Sequence, residues 1–194
     1  MLSDAEIIEA VLRGDVERYA ELVNRYQQAA WKVAYSFVGN FEDAKDISQN
    51  GFVKAYQHLG QFRGRSQFST WFYRIIVNEC KDFFKRKSRQ PKSVAPVASS
   101  DSENDPVVFE VEDPRGDPRD VSANHELAKR LAHAIEGLGM KQRTAFVLHH
   151  LDGMSLEEVA RVMGCRVGTV KAHISRAAEH LRRTLGPYVK MEMI

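Results

Sequence analysis

Proline is missing from the first ninety residues of this 194-residue chain. All six prolines follow residue 90, and five of them lie between positions 91 and 118. Because proline removes a backbone donor and fixes φ, residues 1–90 can be helical throughout, whereas the proline-rich stretch cannot. The sequence also lacks the short alternating runs that are typical of strands. We therefore expect an all-α protein.

Cysteines and long apolar runs are equally scarce. Cys80 and Cys165 are the two cysteines, far apart, and this usage favours a reducing compartment with two buried thiols rather than a disulfide or a metal pair. No apolar run approaches the roughly 20 residues that span a bilayer. The acidic, amphipathic N-terminus is unlike a signal peptide. These absences predict a cytoplasmic protein with no membrane segment of its own.

Catalytic motifs are also absent. The sequence contains no nucleophile elbow, no glycine-rich phosphate loop and no H-E-x-x-H zinc motif. His149 and His150 are adjacent, hence about 100° apart on a helix, and this spacing makes a poor metal pair. We expect a protein that is not an enzyme and uses no metal or cofactor.

Charge is strongly segregated along the chain, although the net charge is only +2. Residues 62–92 carry +7, residues 93–120 carry −6 and residues 161–190 carry +6. Two basic blocks separated by an acidic spacer indicate a polyanion that is held at two places. We predict a helical domain at 1–90, a flexible acidic, proline-rich linker at 91–122 and a second helical domain at 123–194.

Capping residues and glycines set the expected helices of the first domain. Ser3-x-x-Glu6 reads as a capping box that opens a helix ending near Gly14. The next helix is expected to be capped by Asp15, with Val16 starting its apolar stripe, and to end at Gly39–Asn40. A third is expected from about Phe41 to Gly60, and a fourth from a serine in S-Q-F-S-T.

The C-terminal domain has the pattern of a helix-turn-helix. A leucine-spaced helix over 127–138 and another over 140–151, ended by Gly153, precede it. Ser155-x-x-Glu158 then caps a short helix that stops at Gly164, and a longer helix follows from about Gly168. The apolar stripe of this longer helix comprises Val170, Ile174, Ala177 and Leu181. Small residues on the opposite face suit a DNA major groove, while His173 lies beside the stripe and is not counted as a reader. An ordinary helical hairpin with a basic face is the alternative.

The segment F-R-G-R-S-Q-F-S-T-W-F-Y-R, residues 62–74, mixes aromatic rings, arginines and hydroxyls. Phe68, Phe72, Ile75 and Ile76 share one helical face and are expected in the core. Aromatic side chains stack on unpaired bases, and arginines hold the backbone of a single strand. The segment therefore suits a flipped-out base better than an intact duplex, with a pocket rim formed by Arg63, Gly64, Arg65, Ser66 and Thr70.

Two multi-part motifs of this chain resemble those of a known family. Residues 41–87 contain D-x-x-D-I-x-Q, F-R-G-x-S-x-F-x-T-W and Y-R-I-x-x-N, and residues 143–185 contain G-x-S-x-E-E-V-A and G-T-V-K. In this order, separated by a linker, they resemble the bacterial RNA polymerase sigma factors of the extracytoplasmic-function (ECF) group. The resemblance implies a protein that binds core RNA polymerase, directs it to a bipartite promoter and melts the minus-ten region.

The resemblance also implies roles for individual residues. Asp43, Asp46 and Gln49 would dock on the clamp helices of the polymerase β′ subunit, and β is a further expected contact. Residues expected at the minus-ten element are Arg63, Gly64, Arg65, Ser66, Thr70, Trp71, Asn78, Lys81, Lys85 and Arg86. Residues expected at the minus-thirty-five element are Arg166, Thr169, Lys171, Ala172, Ser175 and Arg176. An anti-sigma factor is a further expected partner.

The sequence departs from the family pattern at two places, and two other functions are alternatives to that of a sigma factor. Asn50 stands where the family often has glutamate, and Leu138–Gly139–Met140 replaces the usual Leu-Pro. The first rival is a stand-alone transcriptional regulator that uses only the helix-turn-helix. The second is a non-catalytic helical interaction module without a DNA function.

Overall fold

The computed structural model describes residues 2–89, 130–131, 133–135 and 137–189, with side chains described up to residue 186. Every regular element within these ranges is helical, which confirms the all-α prediction. The predicted linker at 91–122 and Leu127 lie outside the described residues. Residues 130–131 and 133–135 are helical and belong to the helix predicted over 127–138.

Seven helices have described bounds. The first four are α1 (Asp4–Leu12), α2 (Tyr19–Val38), α3 (Phe41–Gln57) and α4 (Phe68–Arg89). The later three are α5 (Met140–Phe146), α6 (Leu156–Met163) and α7 (Val167–Val189). Short 3-10 turns occupy Val16–Arg18 and Leu59–Gln61, and a π-helical turn, Val147–Leu151, continues α5.

Both predicted capping boxes are present. The Glu6 N–H donates to Ser3 Oγ at 3.3 Å, and the Ser3 N–H donates to Glu6 Oε2 at 2.7 Å. The same exchange joins Ser155 and Glu158, at 3.2 and 2.9 Å. Each box satisfies N–H groups that have no partner inside the first turn, so these helices begin where the sequence predicts.

Two predicted helix bounds are wrong. Asp15 makes no capping hydrogen bond, because its carboxylate accepts from Arg18 Nε at 2.9 Å, and α2 starts only at Tyr19 after a 3-10 turn. Val16 is 50% exposed and therefore does not start the apolar stripe. The third helix stops at Gln57 rather than Gly60, and the chain tightens into the turn at Leu59–Gln61.

The first domain packs around the ring of Phe72, which has no exposed area. Its centroid lies 4.5 Å from that of Phe52 in α3, 5.8 Å from Phe68 and 6.1 Å from Tyr26 in α2. Each such aromatic pair contributes about 0.5–1.5 kcal/mol beyond its buried area. Phe68, Phe72 and Ile76 are buried as predicted, while Ile75 is half-buried.

An ion pair with a buried carboxylate and a lysine that is 45% exposed also joins α3 to α4. The Glu79 carboxylate is only 4% exposed and pairs with the ammonium group of Lys54. A buried carboxylate requires such a partner, since leaving it unpaired costs several kcal/mol. The pair therefore holds α3 and α4 in one fixed orientation.

The C-terminal domain has the helix-turn-helix that the sequence predicts, with α7 starting one residue earlier, at Val167. Val170, Ala177 and Leu181 of its stripe are buried and Ile174 is half-buried. Gly164 ends α6 with φ +65°, and its N–H donates to Ala160 O. Because L-residues with a side chain rarely adopt this conformation, glycine is needed at the turn.

We predict that Gly164→Ala lowers the free energy of unfolding by about 1–2 kcal/mol, since a Cβ is strained in the left-handed region. Urea unfolding followed by circular dichroism measures the change. Gly168→Ala is the matched control, because a Cβ there meets no atom within 4 Å and the residue lies inside α7. The control should change stability by less than about 0.5 kcal/mol or increase it. Equal losses in both variants would contradict the turn assignment.

Candidate nucleic-acid interface

The loop Phe62–Gln67, called the FRG loop below, joins the second 3-10 turn to the start of α4. Gly64 has φ +65° at its tip, and a Cβ there would meet no atom within 4 Å, so its backbone conformation alone favours glycine. Arg63, Gly64 and Arg65 are exposed, and Ser66 is half-buried with its hydroxyl donating to Gln67 O at 3.2 Å. The loop thus presents two exposed arginines on either side of a glycine.

Trp71 and Thr70 lie beneath this loop. The Trp71 ring is half-buried, and its centroid lies 5.4 Å from Phe62 and 5.7 Å from Phe68. Thr70 is only 3% exposed, and its Oγ1 has no hydrogen-bond partner among the described residues. Thr70 therefore lies under the rim rather than on it, because the first turn of α4 faces the core.

The remaining minus-ten candidates continue along the exposed side of α4. Asn78, Lys81, Lys85 and Arg86 are all exposed, and Lys81 Nζ donates to Asn78 Oδ1 at 3.3 Å. Their roles in DNA binding stay predictions. Together with the FRG loop they form a basic strip over one surface of the first domain.

The polymerase-docking candidates lie on α3. Asp46, Gln49 and the neighbouring Asn50 are exposed, whereas Asp43 is half-buried and its N–H donates to the Asn40 side chain at 3.0 Å. Asn40 is therefore the N-cap of α3, a role that the sequence analysis did not assign. Asp46 and Gln49 are exposed and can contact a partner, while Asp43 is less accessible because it is half-buried.

In the helix-turn-helix, all six minus-thirty-five candidates are at the surface. Arg166, Thr169, Lys171, Ala172, Ser175 and Arg176 are exposed. They lie on α7 or just before it, away from the buried Val170 and Ala177. His173 is half-buried, and burial lowers the pKa of its ring, so it favours the neutral form. This placement agrees with its exclusion from the readers.

Part of the minus-ten surface and Arg166 of the minus-thirty-five surface meet at one groove between the domains, which the sequence did not predict. The groove has a volume of about 700 Å³. From the first domain it is lined by Arg65, Ser66, Thr70, Trp71 and Arg74, and from the second by Arg161, Cys165 and Arg166 among others. Four arginines and one acid, Glu157, line the two walls, so the groove is cationic on balance.

Two arginines missed by the sequence analysis join the domains. Arg74 Nη2 in α4 donates to Arg161 O in α6 at 2.8 Å. Arg143 Nη1 in α5 donates to Phe37 O in α2 at 2.6 Å, and Arg143 is only 6% exposed. No local pattern marks these residues, because their partners lie about ninety or more positions away.

Asp152 lies at the same interface, facing the hydroxyl of Tyr73. Burial raises the pKa of Asp152 to about 6, although the Tyr73 hydroxyl and Lys32 act in the opposite direction. Within the described part of the chain, Asp152 Oδ2 has no hydrogen-bond partner. In the docked arrangement this carboxyl group is therefore easier to protonate than an ordinary aspartate.

The prediction of two buried thiols holds for only one of the two cysteines. Burial raises the pKa of Cys80 to about 12, which confirms one inert buried thiol, but Cys165 is only half-buried on the groove. Both are free thiols.

The paired histidines show no sign of a metal site. His149 Nδ1 lies 2.7 Å from Met154 O, and the residues that the structure describes contain no cluster of three or more side chains able to hold a metal. Nor does any described helix combine the length and hydropathy that crossing a membrane requires.

Comparison with known protein families identifies the class of protein to which the chain belongs. Residues 22–90 match the family described as Sigma-70 region 2, and residues 128–181 match Sigma-70, region 4. The chain thus has the fold of a sigma factor, with one domain for each region. Both matched ranges fall inside the predicted domains, whose outer boundaries stay a prediction.

Relatives that match over nearly their whole length identify the group of sigma factors. The chain is 36% identical over 190 residues to the RNA polymerase sigma-H factor of Pseudomonas aeruginosa, covering 96% of each chain. It is 35% identical over 191 residues to the ECF RNA polymerase sigma-E factor of Escherichia coli K12, covering 97% of each. The chain belongs to the ECF sigma factors and is a factor that brings RNA polymerase to promoters to initiate transcription.

Solved structures support the same fold. CnrH, in a complex with the cytosolic domain of CnrY, matches with a TM-score of 0.68 and 25% identity, over 95% of this chain and 97% of that one. The sigma factor RpoE of Bartonella quintana, solved with the anti-sigma factor NepR, matches with a TM-score of 0.64. At 21% identity, over 87% of this chain and 96% of that one, this second likeness concerns the fold alone.

We predict that Asp152→Asn stabilises the protein more at pH 7.5 than at pH 5. The raised pKa of Asp152 means that its contribution is fully present below about pH 4 and is lost as the pH rises through about 6. Allowing for solvent screening, the gain at pH 7.5 is on the order of 1 kcal/mol. Urea unfolding of the unaltered protein and the variant at the two pH values measures this gain. Because histidines titrate in both proteins, their contribution cancels when the two free energies of unfolding are subtracted. A gain that is equal at both pH values would contradict the assignment.

Proposed function

We propose that this sigma factor reads its promoter in two forms of DNA, as an unpaired base at the minus-ten element and as duplex at the minus-thirty-five element. The observation that carries the proposal is the FRG loop, whose arginines and glycine are exposed and whose Phe62 packs against the half-buried Trp71 ring of α4. A duplex hides the faces of its bases, whereas a flipped base can stack on an aromatic ring. Opening of the minus-ten region would then use binding energy and no ATP.

The minus-thirty-five proposal rests on the exposed face of α7. Ala172 and Ser175 are small, and this allows the helix to lie deep in a major groove. Arg166, Lys171 and Arg176 flank them and can contact phosphates or a guanine edge. The small residues impose few base preferences, so phosphate contacts should dominate the affinity.

The polymerase-docking proposal rests on the exposed Asp46 and Gln49 of α3. The Lys54–Glu79 pair fixes this helix against α4, so polymerase and DNA would be held by one rigid unit. We propose that the clamp helices of β′ contact this stripe, with Asp43 at its half-buried end, and that β is a further contact. The protein would act in the cytoplasm, with the polymerase.

An anti-sigma partner is part of the proposal. CnrH is solved with the cytosolic domain of CnrY, and RpoE of Bartonella quintana with the anti-sigma factor NepR. The fold likeness supports a similar inhibitor for this chain. Neither catalysis nor a cofactor is proposed.

Transcription in vitro with purified core polymerase and a genomic promoter library tests the whole proposal. Transcripts that depend on the added chain are expected, and their complete absence would contradict it. A stand-alone regulator would instead bind specific duplex tightly without polymerase. A helical interaction module would show almost no salt dependence of binding to a minus-ten oligonucleotide.

We predict that Asp46→Ala weakens binding to core polymerase about tenfold and leaves the fold intact, because it removes an exposed charge at the centre of the docking stripe. Fluorescence anisotropy of the labelled chain with core enzyme measures the affinity. Glu17→Ala, an exposed acid outside the stripe, is the matched control. Unchanged affinity in Asp46→Ala would refute the docking assignment.

We predict that Trp71→Ala retains core binding but loses promoter opening. Removal of one stacking ring costs about 1–3 kcal/mol, which lowers the population of the open complex roughly 5- to 150-fold. Permanganate reactivity of thymines in the minus-ten region measures opening. Trp31→Ala removes the other indole, which stacks on Tyr35 in α2, and should leave opening intact if the variant folds. Normal reactivity in Trp71→Ala would exclude this ring as the stacking surface.

A further inference from the structure

Each domain places one arginine at the C-terminal end of a helix in the other domain. Arg143 donates to Phe37 O, one residue before α2 ends, and Arg74 donates to Arg161 O in the last turn of α6. The last four carbonyls of a helix have no partner within it and carry partial negative charge. A guanidinium is therefore a strong donor there, and the two contacts are reciprocal caps.

The Arg143 contact is the more deeply buried of the two. Its side chain is 6% exposed, its guanidinium lies 5.7 Å from the Phe84 ring centroid in α4, and Nη2 also donates to Leu138 O at 3.4 Å. A buried cation has to be compensated by its surroundings. Phe37 O and the Phe84 ring, both in the first domain, supply part of that compensation. Docking of the two domains therefore stabilises the buried guanidinium of Arg143.

The docked arrangement brings part of the minus-ten surface and one end of the minus-thirty-five surface to a single groove. Arg65, Ser66 and Trp71 of the first domain face Arg166 of the second across about 700 Å³. The centres of a minus-ten and a minus-thirty-five element are about 25 base pairs apart, which is roughly 85 Å of duplex at 3.4 Å per pair. The two surfaces cannot reach both elements while they share one groove.

We propose that the two arginine caps hold the free chain in a closed state that cannot read a bipartite promoter, and that the domains separate before both elements are bound. The inference rests on the proposed function where it assigns the two DNA surfaces. The closed state is intramolecular and requires no inhibitor protein. Arg143 acts as its main latch and Arg74 as a second, more exposed one.

The test compares three charge-matched variants of the full chain without polymerase. Arg143→Gln and Arg74→Gln each remove one cap, and Arg13→Gln removes an exposed cation just after α1 that pairs with Glu9. Small-angle X-ray scattering reports the radius of gyration. Anisotropy with a mixed-sequence 30-base-pair duplex at low salt reports DNA affinity. Circular dichroism checks that each variant is folded.

Removing a cap should enlarge the radius of gyration and strengthen DNA binding, by about threefold or more for Arg143→Gln and about twofold for Arg74→Gln. This gain opposes the ordinary effect of losing a cation, which weakens binding to a polyanion and should appear in Arg13→Gln. The sign of the change therefore separates release from simple electrostatics.

An Arg74→Gln chain that stays compact and binds DNA no better than Arg13→Gln would overturn the proposal, and this variant decides if Arg143→Gln does not fold. An expanded chain with no gain in DNA affinity would overturn the inhibitory role. Transcription by the unaltered chain with core enzyme tests the proposed function separately, because it needs neither variant. The two failures are therefore distinguishable.

Discussion

The Phe72 ring packs against α2 and α3, and this packing positions most of the candidate binding residues of the first domain. Phe72 fixes α4 on one side, and the Lys54–Glu79 pair fixes the same helix against α3. The opposite side of α4 is then free to carry Trp71, Arg74 and the basic strip. A loss of packing at Phe72 would move the docking stripe, the base pocket and the contact with the second domain together.

Features set by local chemistry were predictable from the sequence. The capping boxes at Ser3 and Ser155 and the glycine stop at Gly164 depend on residues within one helical turn, and the structure has all three. The buried stripe of α7 follows from helical spacing alone. Asp15 shows the limit of such reasoning, because Arg18 competes for its carboxylate and the cap is lost.

Features set by packing between distant segments could not be predicted. Arg143 reads in the sequence as one more cation, and only the approach of α2 and α4 makes it buried and partnered. Asp152 has an ordinary carboxyl group until docking removes its water and raises its pKa. Thr70 and Cys165 also take their surroundings from the groove, where two domains meet that the sequence shows only as separate units.

The arginine caps have a thermodynamic consequence for promoter recognition. The closed chain can contact one promoter element, but holding both requires the open chain, so the free energy of separation opposes binding of the second element. The two elements are thereby coupled, although their binding surfaces need not touch in the open chain. Linkage makes the coupling reciprocal: while the caps hold, each element lowers the affinity for the other by the same factor. Loss of the caps would therefore strengthen the simultaneous binding of both elements more than the binding of either one alone.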